Sequence, residues 1–455
     1  MGMLRTMNFV KCLPPISYNT DTNYDLATGV AIPGYDGKFY IDGGINRGIN
    51  SIIGRVQTYK STTAGSLIAR SCALYGGCDC LVLDTEMSLA RNESRFTRLA
   101  GEYAPIVQKM YDDGDIKIIY GTTYTVAAFY AQICEICEYR KKNKKDFIVE
   151  SPFLDNEGDG LKRMKVWKPF YIFIDTLTLM RSDKEMKALA GGLDESSANT
   201  AYMLSGKDKT TMLIDLRCKC DEFGLCVICT AHVDDKIDMD PYNPSVKTLQ
   251  FMRQNDKIKG TGSSFQKISI PMVETRGLIK LLNSSKSENL YKYNDAALGD
   301  LNQVSLLMQR SKTQMSGFVF NVVESQNDGI VNSLSDYHAL RSNKYAGLIG
   351  NEQRHELAWY PGTTVTRNSV YDECSKSYEF KRALQLMSQY QFVQTYWNIK
   401  QLPIDFSMTL EEAFTKLSAA KIKWNDILNS RGYWTYGKCD REYLSIFDVM
   451  AMINK

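Results

Sequence analysis

The chain has 455 residues, of which 44% are hydrophobic and 24% are charged, and its net charge is +3. This composition is ordinary for a globular protein with one large domain and a smaller one. The small net charge excludes nucleic-acid binding through overall polarity, so any such binding must come from local basic clusters. No apolar run approaches the length of a membrane span and no signal-peptide pattern opens the chain, which predicts a soluble protein that is not secreted.

Twelve cysteines are scattered over segments with strand-like and helix-like patterns. This distribution fits a reducing compartment better than a disulfide framework. The pairs Cys134/Cys137 and Cys226/Cys229 lie in a helix-like and a strand-like segment, and not in the loops that form zinc knuckles. We therefore expect no structural zinc site.

Residues 1–38 are predicted to form an irregular N-terminal arm, because they combine Pro14-Pro15 with clusters of Asn, Asp and Gly that favour turns. Within this arm, residues 8–10 could dock on a neighbouring protomer, although packing against the chain itself fits better. A short strand is predicted from Phe39, glycine turns follow, and residues 50–53 form the next strand.

Residues 54–62, Gly-Arg-Val-Gln-Thr-Tyr-Lys-Ser-Thr, follow this strand and match the phosphate-binding loop pattern imperfectly. In that pattern, backbone N–H groups wrap the phosphates, the lysine meets the β- and γ-phosphates, and the hydroxyl holds Mg²⁺. Tyr59 stands where the pattern has its second glycine, and an aromatic residue adopts positive φ only at a cost. The alternative is a chance Gly…Lys-Ser. The predicted nucleotide-binding residues are Gly54, Gln57, Thr58, Tyr59, Lys60, Ser61 and Thr62.

Helices and strands alternate after this loop. The predicted helices cover residues 61–75, 126–142 and 210–223, and the predicted strands cover residues 80–87, 116–120, 169–176 and 225–232. The charged residues 140–168 are predicted to be a flap inserted into the core, and residues 184–208 and 234–262 to be long polar loops. Antiparallel strands are predicted at residues 268–273, 277–282, 305–309 and 317–323. Residues 346–455, rich in Tyr and Trp, are predicted to be a smaller C-terminal domain.

Four polar side chains follow predicted strands whose carboxyl ends should meet at one sheet edge: Lys60, Glu86, Asp175 and His232. Asp175 is predicted to orient Mg²⁺ together with Ser61, and Glu86 to act as the general base for an attacking water. His232 is predicted to sense the γ-phosphate and to couple it to the loop that follows. Each has a plainer interpretation, since strand-end carboxylates often cap helices and a lone histidine is more often structural.

Five motifs follow one another along the chain: Gly54…Lys60-Ser61, Asp84-Thr85-Glu86, Phe173-Ile174-Asp175, Ala231-His232 and Lys259-Gly260-Thr261-Gly262. In this order they resemble the RecA family, and within it most closely the UvsX-type recombinases of tailed bacteriophages. That branch also accepts an aromatic residue before the loop lysine. Over residues 39–345 the resemblance implies an α/β fold with a RecA-like P-loop ATPase core, in which helices flank a mostly parallel twisted sheet with an antiparallel extension. A smaller α+β C-terminal domain follows.

The resemblance implies a DNA-dependent ATPase that forms a helical filament on single-stranded DNA and pairs it with a homologous duplex, using ATP and Mg²⁺. It also implies roles in DNA recombination, repair and replication, with loader and single-strand-binding proteins as partners, in the cytoplasm of a phage-infected cell. The family's DNA-binding loops correspond to residues 184–208 and 234–259. The second loop offers groups for phosphates and bases, namely Lys236, Lys247, Phe251, Met252, Arg253, Lys257 and Lys259. These residues could equally form a solvated loop surface.

One departure concerns the residues that family members use on the neighbouring protomer's ATP. Where relatives carry basic residues after the late core strand, this chain has Glu324-Ser325-Gln326, so another cation must serve or turnover is weak. Two alternative functions stay open. The first is a helicase, because residues 85–88 and 174–181 also resemble DnaB-like hexameric replicative helicases, although no N-terminal helical collar is apparent. The second, which Tyr59 and Glu324 favour, is a protein that binds ATP only to assemble, without hydrolysis.

Overall fold

A ten-stranded sheet forms the centre of the computed structural model, which describes residues 13–89, 93–121, 124–155, 162–191, 195–236, 247–420 and 422–454. In chain order its strands are β1 (Gly48–Gly54), β2 (Asp79–Asp84), β3 (Ile116–Tyr120), β4 (Phe170–Asp175), β5 (Leu225–Asp235), β6 (Asp256–Ile258), β7 (Met272–Lys280), β8 (Leu301–Arg310), β9 (Val319–Ser325) and β10 (Gly329–Ile330). The order across the sheet is β10-β9-β8-β7-β1-β5-β4-β2-β3, and β6 pairs with the end of β5.

Six neighbouring strands of this sheet, from β7 through β1, β5, β4 and β2 to β3, run parallel. The strands β8, β9 and β10 continue from β7 in antiparallel pairing. The central parallel strands β2, β4 and the first part of β5 are near-continuous apolar runs, as expected for strands that are covered on both faces. The predicted α/β class, a mostly parallel sheet flanked by helices, is confirmed.

The helices of the chain include α1 (Lys60–Leu74), α2 (Ala104–Asp113), α3 (Val126–Lys142), α4 (Asp183–Leu189), α5 (Glu195–Phe223), α6 (Ser263–Ile268), α7 (Asn332–Ser342) and α8 (Tyr378–Tyr396). A hydrophobic cluster lies on each face of the sheet, because neighbouring residues of one strand point to opposite faces. Ile52 of β1 belongs to the cluster that includes α1 and α2, and Ile53 belongs to the cluster that includes α3 and α5. The sheet is therefore buried between two helical layers.

The prediction of a polar loop over residues 184–208 is wrong. The helix α4 begins after Ser182, whose side chain accepts from the Glu185 backbone while the Glu185 carboxylate accepts from the Ser182 backbone. This capping box is a helix-start signal that the polar composition obscured. The predicted helix over residues 210–223 is the second half of the longer helix α5.

The predicted strand over residues 268–273 is also wrong for most of its length. Residues up to Ile268 belong to helix α6, and the strand β7 begins only at Met272, after Pro271, which has no N–H to donate. The strand predicted at residues 277–282 is the continuation of β7. A register shift between Thr275 and Gly277 marks a bulge inside this one strand.

The predicted flap contains an antiparallel hairpin, Ile148–Leu154 with Arg163–Trp167. Phe153 packs against the rings of Tyr40 and Trp434 with centroids 5.9 and 5.5 Å away, so the hairpin lies against other parts of the chain. At its base, the Arg140 guanidinium donates to the carbonyl oxygens of Phe223 and Lys168.

Much of the predicted N-terminal arm is packed against the chain's own core. It contributes helix Asn23–Thr28 and buried side chains such as Tyr18 and Tyr24. The strands Ser17–Tyr18 and Val30–Pro33 pair with Ile45–Asn46 and Phe39–Asp42. Residues 8–10, with their predicted docking role, lie outside the described residues.

The C-terminal part contains a small antiparallel sheet of Leu348–Gly350, His355–Leu357 and Tyr360–Val365. Its other helices include Val370–Lys376, Leu410–Ala419, Trp424–Leu428 and Ile446–Ala451, and short helices elsewhere in the described chain include Glu93–Arg98 and Lys144–Phe147. It contacts the N-terminal segment, since Trp397 donates to the Leu26 carbonyl at 3.1 Å and Asn23 donates to Ser388 at 3.0 Å. Its apolar side chains join the same hydrophobic cluster as α1 and α2.

Candidate functional site

The segment 54–62 is a tight turn that connects the end of β1 to the start of α1. Gln57 and Tyr59 have φ of 61° and 67°, in the left-handed region that favours glycine. The Tyr59 hydroxyl accepts a 2.7 Å hydrogen bond from Asn302, and its ring packs against the main hydrophobic cluster. These contacts offset the cost of placing an aromatic residue where phosphate-binding loops carry glycine.

The Lys60 side chain folds back over this turn. It is only 5% exposed, and its ammonium donates to the carbonyl oxygen of Arg55 at 2.8 Å. Burial lowers the pKa of Lys60, while the carboxylates of Glu86 and Asp175 act in the opposite direction. The turn therefore holds a cationic group at the start of a helix, where backbone N–H groups also favour an anion.

The other predicted loop residues have different surroundings. Gly54 lies so close to Thr275 that a Cβ would be 2.1 Å from the threonine hydroxyl oxygen, so the position requires glycine. The hydroxyls of Thr58 and Thr275 are 2.6 Å apart. Gln57 is exposed, and Thr62 is buried in the first turn of α1. Thr58 and Thr62 thus have packing roles that the loop pattern did not reveal.

Asp175 ends β4 and is fully buried beneath the loop. Its Oδ1 atom accepts hydrogen bonds from the hydroxyls of Ser61 and Thr230, both at 2.7 Å. Burial, with a smaller contribution from the nearby Glu86 carboxylate, raises the pKa of Asp175 to about 6. Ser61 and Asp175 together present two oxygen atoms of the type that Mg²⁺ binds in proteins.

Glu86 and His232 are directly paired. His232 Nε2 lies 2.8 Å from Glu86 Oε1, and this hydrogen bond lowers the pKa of Glu86. His232 Nδ1 is buried and has no hydrogen-bond partner in the described part of the chain. The backbone N–H of His232 donates to Thr178 at 3.0 Å, so the residue is fixed at the point where β5 leaves the sheet.

The structure thus brings Lys60, Ser61, Asp175, Glu86 and His232 to one edge of the sheet. The strands β1, β5, β4 and β2 are neighbours, and their register aligns the residues at which they end. Ser61 and Asp175 are in contact, and so are Glu86 and His232, while Lys60 lies within electrostatic range of both carboxylates. This is the edge at which open α/β sheets bind ligands.

Asp84, the last residue of β2, has a structural role in the turn that follows this strand. Its two oxygens accept from the backbone N–H groups of Ser88 at 3.1 Å and Leu89 at 2.7 Å. These bonds fix the turn that follows β2 and so position Glu86 within it. Through these two bonds Asp84 supports the site indirectly, by holding the turn that carries Glu86.

Arg55 links the loop to the hairpin of β5 and β6, a contact that the sequence did not reveal. Its guanidinium bonds to Asp235 at 2.5 Å and to Asp256 at 2.7 Å. Asp256 is nearly fully buried, and its pairing partner on β5 in the sheet register is Asp235. The Arg55 carbonyl holds the Lys60 ammonium, so one residue contacts both the loop and the base of the hairpin.

The predicted DNA-binding residues follow β5, and the described ones differ in exposure. Lys247, Arg253, Lys257 and Lys259 are exposed, whereas Lys236 and Phe251 are half-buried. Lys259 is paired with Asp234 at 2.8 Å. The prediction that Met252 is available to bases is wrong, because this side chain is 1% exposed within the hydrophobic core. Residues 237–246 of the predicted loop lie outside the described residues.

Glu324, which stands in place of the family's basic residues, points into the protein. It is fully buried on β9, and the Thr63 hydroxyl of α1 donates to its Oε1 atom at 2.7 Å. Burial raises the pKa of Glu324 to about 8, although the bond from Thr63 acts against this shift. Ser325 is also buried and donates to Asp300 at 2.6 Å. Glu324 therefore contacts the first turn of α1 from inside the protomer, and Ser325 bonds to Asp300 instead.

Replacing Glu324 with glutamine is expected to stabilise the protein increasingly as the pH rises. Folding raises the pKa of the Glu324 carboxyl from 4.5 to about 8, so the folded state binds its proton more tightly than the unfolded state does. This stabilisation of the folded state is complete below pH 4.5 and is lost as the pH rises to about 8. Glutamine stays neutral at every pH and does not lose it. The stability gain should grow across this window to on the order of 5 kcal/mol, as measured by urea unfolding at several pH values. The exposed Glu352→Gln serves as control, and a pH-independent difference would contradict the prediction.

No model of a known protein family matches the chain, and no curated protein matches it at a meaningful level of similarity. Over the residues described, no helix is both long and apolar enough to cross a membrane. The same residues contain no cluster of three or more His, Cys, Asp or Glu side chains arranged to hold a metal ion. Cys226 and Cys229 are buried free thiols within β5. The proposed function below therefore rests on the geometry of the loop and of the four strand ends.

Proposed function

We propose that this protein is an ATP-dependent DNA strand-exchange protein that assembles into a helical filament on single-stranded DNA. One observation carries the proposal: a lysine, a hydroxyl, two carboxylates and a histidine meet at the carboxyl edge of four adjacent parallel strands, below a glycine-started loop. The sheet, parallel with an antiparallel extension, is compatible with a RecA-like core. This arrangement supports a nucleotide site whose state can influence the hairpin that extends from β5.

In this proposal each residue of the site has a defined task. Lys60 neutralises phosphate charge, and the Ser61 and Asp175 oxygens, which are 2.7 Å apart, fit Mg²⁺ as ligands. ATP bound with Mg²⁺ would supply the phosphoanhydride bond and the counter-charge for its phosphates. Glu86 accepts a proton from the attacking water, and His232 holds or releases the Glu86 carboxylate.

DNA would bind at the exposed cations near the base of the hairpin. Arg253, Lys257 and Lys259 lie beside or on β6, so they can meet successive phosphates of a strand. Phe251 packs against Gly317, where a Cβ would meet its ring at 2.5 Å. Base stacking by Phe251 therefore requires this ring to leave Gly317.

The deciding experiment measures ATP hydrolysis by the purified protein with Mg²⁺, with and without single-stranded DNA, together with pairing of that strand to a homologous duplex. The proposal expects DNA-stimulated hydrolysis and pairing. Absence of both, in protein that is folded and binds ATP, would overturn it. Negative-stain images with ATP and DNA would show helical filaments, whereas closed six-membered rings would favour the helicase hypothesis.

The pairing of Glu86 with His232 favours one second candidate, a protein that binds ATP in order to assemble but does not hydrolyse it. A carboxylate that is hydrogen-bonded to a histidine and has a lowered pKa is a weak general base. Phosphate release at background level, despite stoichiometric ATP binding, would select this candidate over the recombinase.

Replacing Arg55 with alanine is expected to uncouple the nucleotide site from DNA. The change removes both ion pairs to the base of the β5–β6 hairpin but keeps the Arg55 carbonyl that holds Lys60. DNA stimulation of ATP hydrolysis should fall about tenfold, the usual scale of coupling between linked sites, with ATP affinity in the absence of DNA nearly unchanged.

The Arg55→Ala measurement needs a control for the buried carboxylate that loses its partner. Asp256→Asn, alone and combined with Arg55→Ala, completes a double-mutant cycle in which the two effects should not add. Additive effects would show that this ion pair does not carry the coupling.

A further inference from the structure

A second cleft lies at the opposite end of β1 from the loop. Its volume is about 450 Å³, and it is bounded by the segment before β1, the connection from α6 to β7 and the turn between β8 and β9. Because β1 spans seven residues, the cleft is roughly 20 Å from the nucleotide site. The two sites are therefore separate.

Four cationic side chains from four different elements line this cleft. They are Arg47 before β1, Arg217 of α5, Lys267 at the end of α6 and Lys312 in the turn between β8 and β9. Arg217 approaches so closely that a Cβ on Gly48 would lie 2.0 Å from its Nη1 atom. Glycine at position 48 thus leaves room for the Arg217 guanidinium beside Arg47.

Arg47 is buried without adequate compensation for its charge. It is 3% exposed, its Nη2 atom donates to the Leu13 carbonyl at 2.7 Å, and its Nε and Nη1 atoms have no partner among the described residues. The carboxylate of Asp221 lies 3.8 Å from Arg47 and 3.7 Å from Arg217, beyond the usual length of a charge-assisted hydrogen bond. A buried guanidinium in this state is costly unless an anion binds to it.

We infer that this cleft binds a phosphate group, carried by a small molecule or by a nucleic-acid chain. A phosphate brings up to two negative charges and several acceptor oxygens, which match two guanidinium groups and two ammonium groups. The hydroxyl of Ser311 lines the same cleft and can donate a further hydrogen bond, whereas the Ser17 hydroxyl is bonded to Asp42. Asp42 also lines it, but its Oδ1 atom already accepts from the Ser17 backbone at 2.6 Å.

The N-terminal segment of the chain does not have the negative charge that would complement this cleft. Residues 1–12, Met-Gly-Met-Leu-Arg-Thr-Met-Asn-Phe-Val-Lys-Cys, contain one arginine and one lysine and no carboxylate. A basic segment does not complement four cations. An anion from outside the chain does, and the cleft volume lies within the usual range for small-ligand sites.

The test measures pyrophosphate binding by calorimetry on the full chain. The protein carries Lys60→Ala, which removes the main phosphate-binding side chain of the nucleotide loop. One equivalent of pyrophosphate should bind. The double change Lys267→Ala with Lys312→Ala should weaken that binding about tenfold or more, because two of the four cations are lost. Both lysines are exposed, so their removal leaves the fold intact. The exposed Lys416→Ala is the matched control and should have no effect.

Absence of pyrophosphate binding, or binding that the lysine pair does not weaken, would overturn the inference. A 5′-phosphorylated oligo-dT competitor separates the two sources of phosphate. If the oligonucleotide displaces pyrophosphate, and does not do so in the lysine-pair variant, the site is assigned to nucleic acid. If it fails to displace pyrophosphate, the site is assigned to a small phosphate compound. The outcome does not depend on ATP hydrolysis, so this inference and the proposed function can fail separately.

Discussion

Lys60→Ala is expected to lower ATP affinity by about a hundredfold or more and to abolish nucleotide-dependent filaments, without unfolding the protein. The reason is that Lys60 is the only ammonium that the described part of the loop turns inward, and a desolvated charge contact to phosphate is worth several kcal/mol. The buried lysine loses only one bond to a carbonyl, and its removal also ends the cost of burying the ammonium. Titration with a fluorescent ATP analogue measures the affinity, and negative-stain imaging measures the filaments.

The exposed Lys117→Ala, on the edge strand β3, is the matched control for Lys60→Ala and should bind ATP normally. Thermal unfolding of both variants checks that the fold is kept. Unchanged ATP affinity in folded Lys60→Ala would show that segment 54–62 is not a phosphate-binding loop. The resemblance to the RecA family would then lose its first motif.

Sequence patterns predict the parallel strands β2, β4 and β5 well, because each contains a continuous apolar run between clear turn signals, whereas β7 lacks such a run and is misplaced. The strand Ile116–Tyr120 and the helix Val126–Lys142 have the predicted bounds. The sequence does not reveal α4 or the first half of α5, because Gly, Ser, Asp and Lys are frequent in loops as well as on exposed helix faces. Only the capping box at Ser182 and Glu185 distinguishes the two cases locally.

The candidate site was predictable to the extent that it follows from sheet topology. Polar residues at or just beyond the paired ends of β1, β2, β4 and β5 meet because parallel strands end at one edge, and the motif order along the chain identifies them. Contacts between distant side chains were not predictable in this way. The Arg55 ion pairs span 180 and 201 residues, and no local pattern relates these partners.

The surroundings of Glu324 were also not predictable from the sequence. Its position along the chain indicated a place at the boundary with a neighbouring protomer, and its charge indicated a defect in turnover. In the structure, its carboxyl group lies against Thr63 in the first turns of α1. The direction in which a strand residue points depends on strand register, which the bulge in β7 and the pairing of β8 with β9 determine.

Glu86→Gln is expected to reduce ATP hydrolysis by about 10²–10⁴-fold and to leave ATP binding nearly unchanged. The amide keeps the size of the side chain and can still accept a hydrogen bond from His232 Nε2, so the geometry of the site should persist. It cannot accept a proton from water, and this is the step assigned to Glu86. Single-turnover hydrolysis measures the chemical step, and equilibrium titration measures binding.

Two comparisons make the Glu86 result decisive. The exposed Glu288→Gln controls for the loss of one carboxylate from the chain and should hydrolyse ATP at the wild-type rate. His232→Ala removes the hydrogen bond that lowers the pKa of Glu86, so it should raise this pKa toward 4.5 and shift the acidic limb of the hydrolysis rate to higher pH. If Glu86→Gln hydrolyses ATP as fast as the wild type, the base lies elsewhere. If His232→Ala leaves the acidic limb unmoved, the Glu86–His232 pair does not control the base.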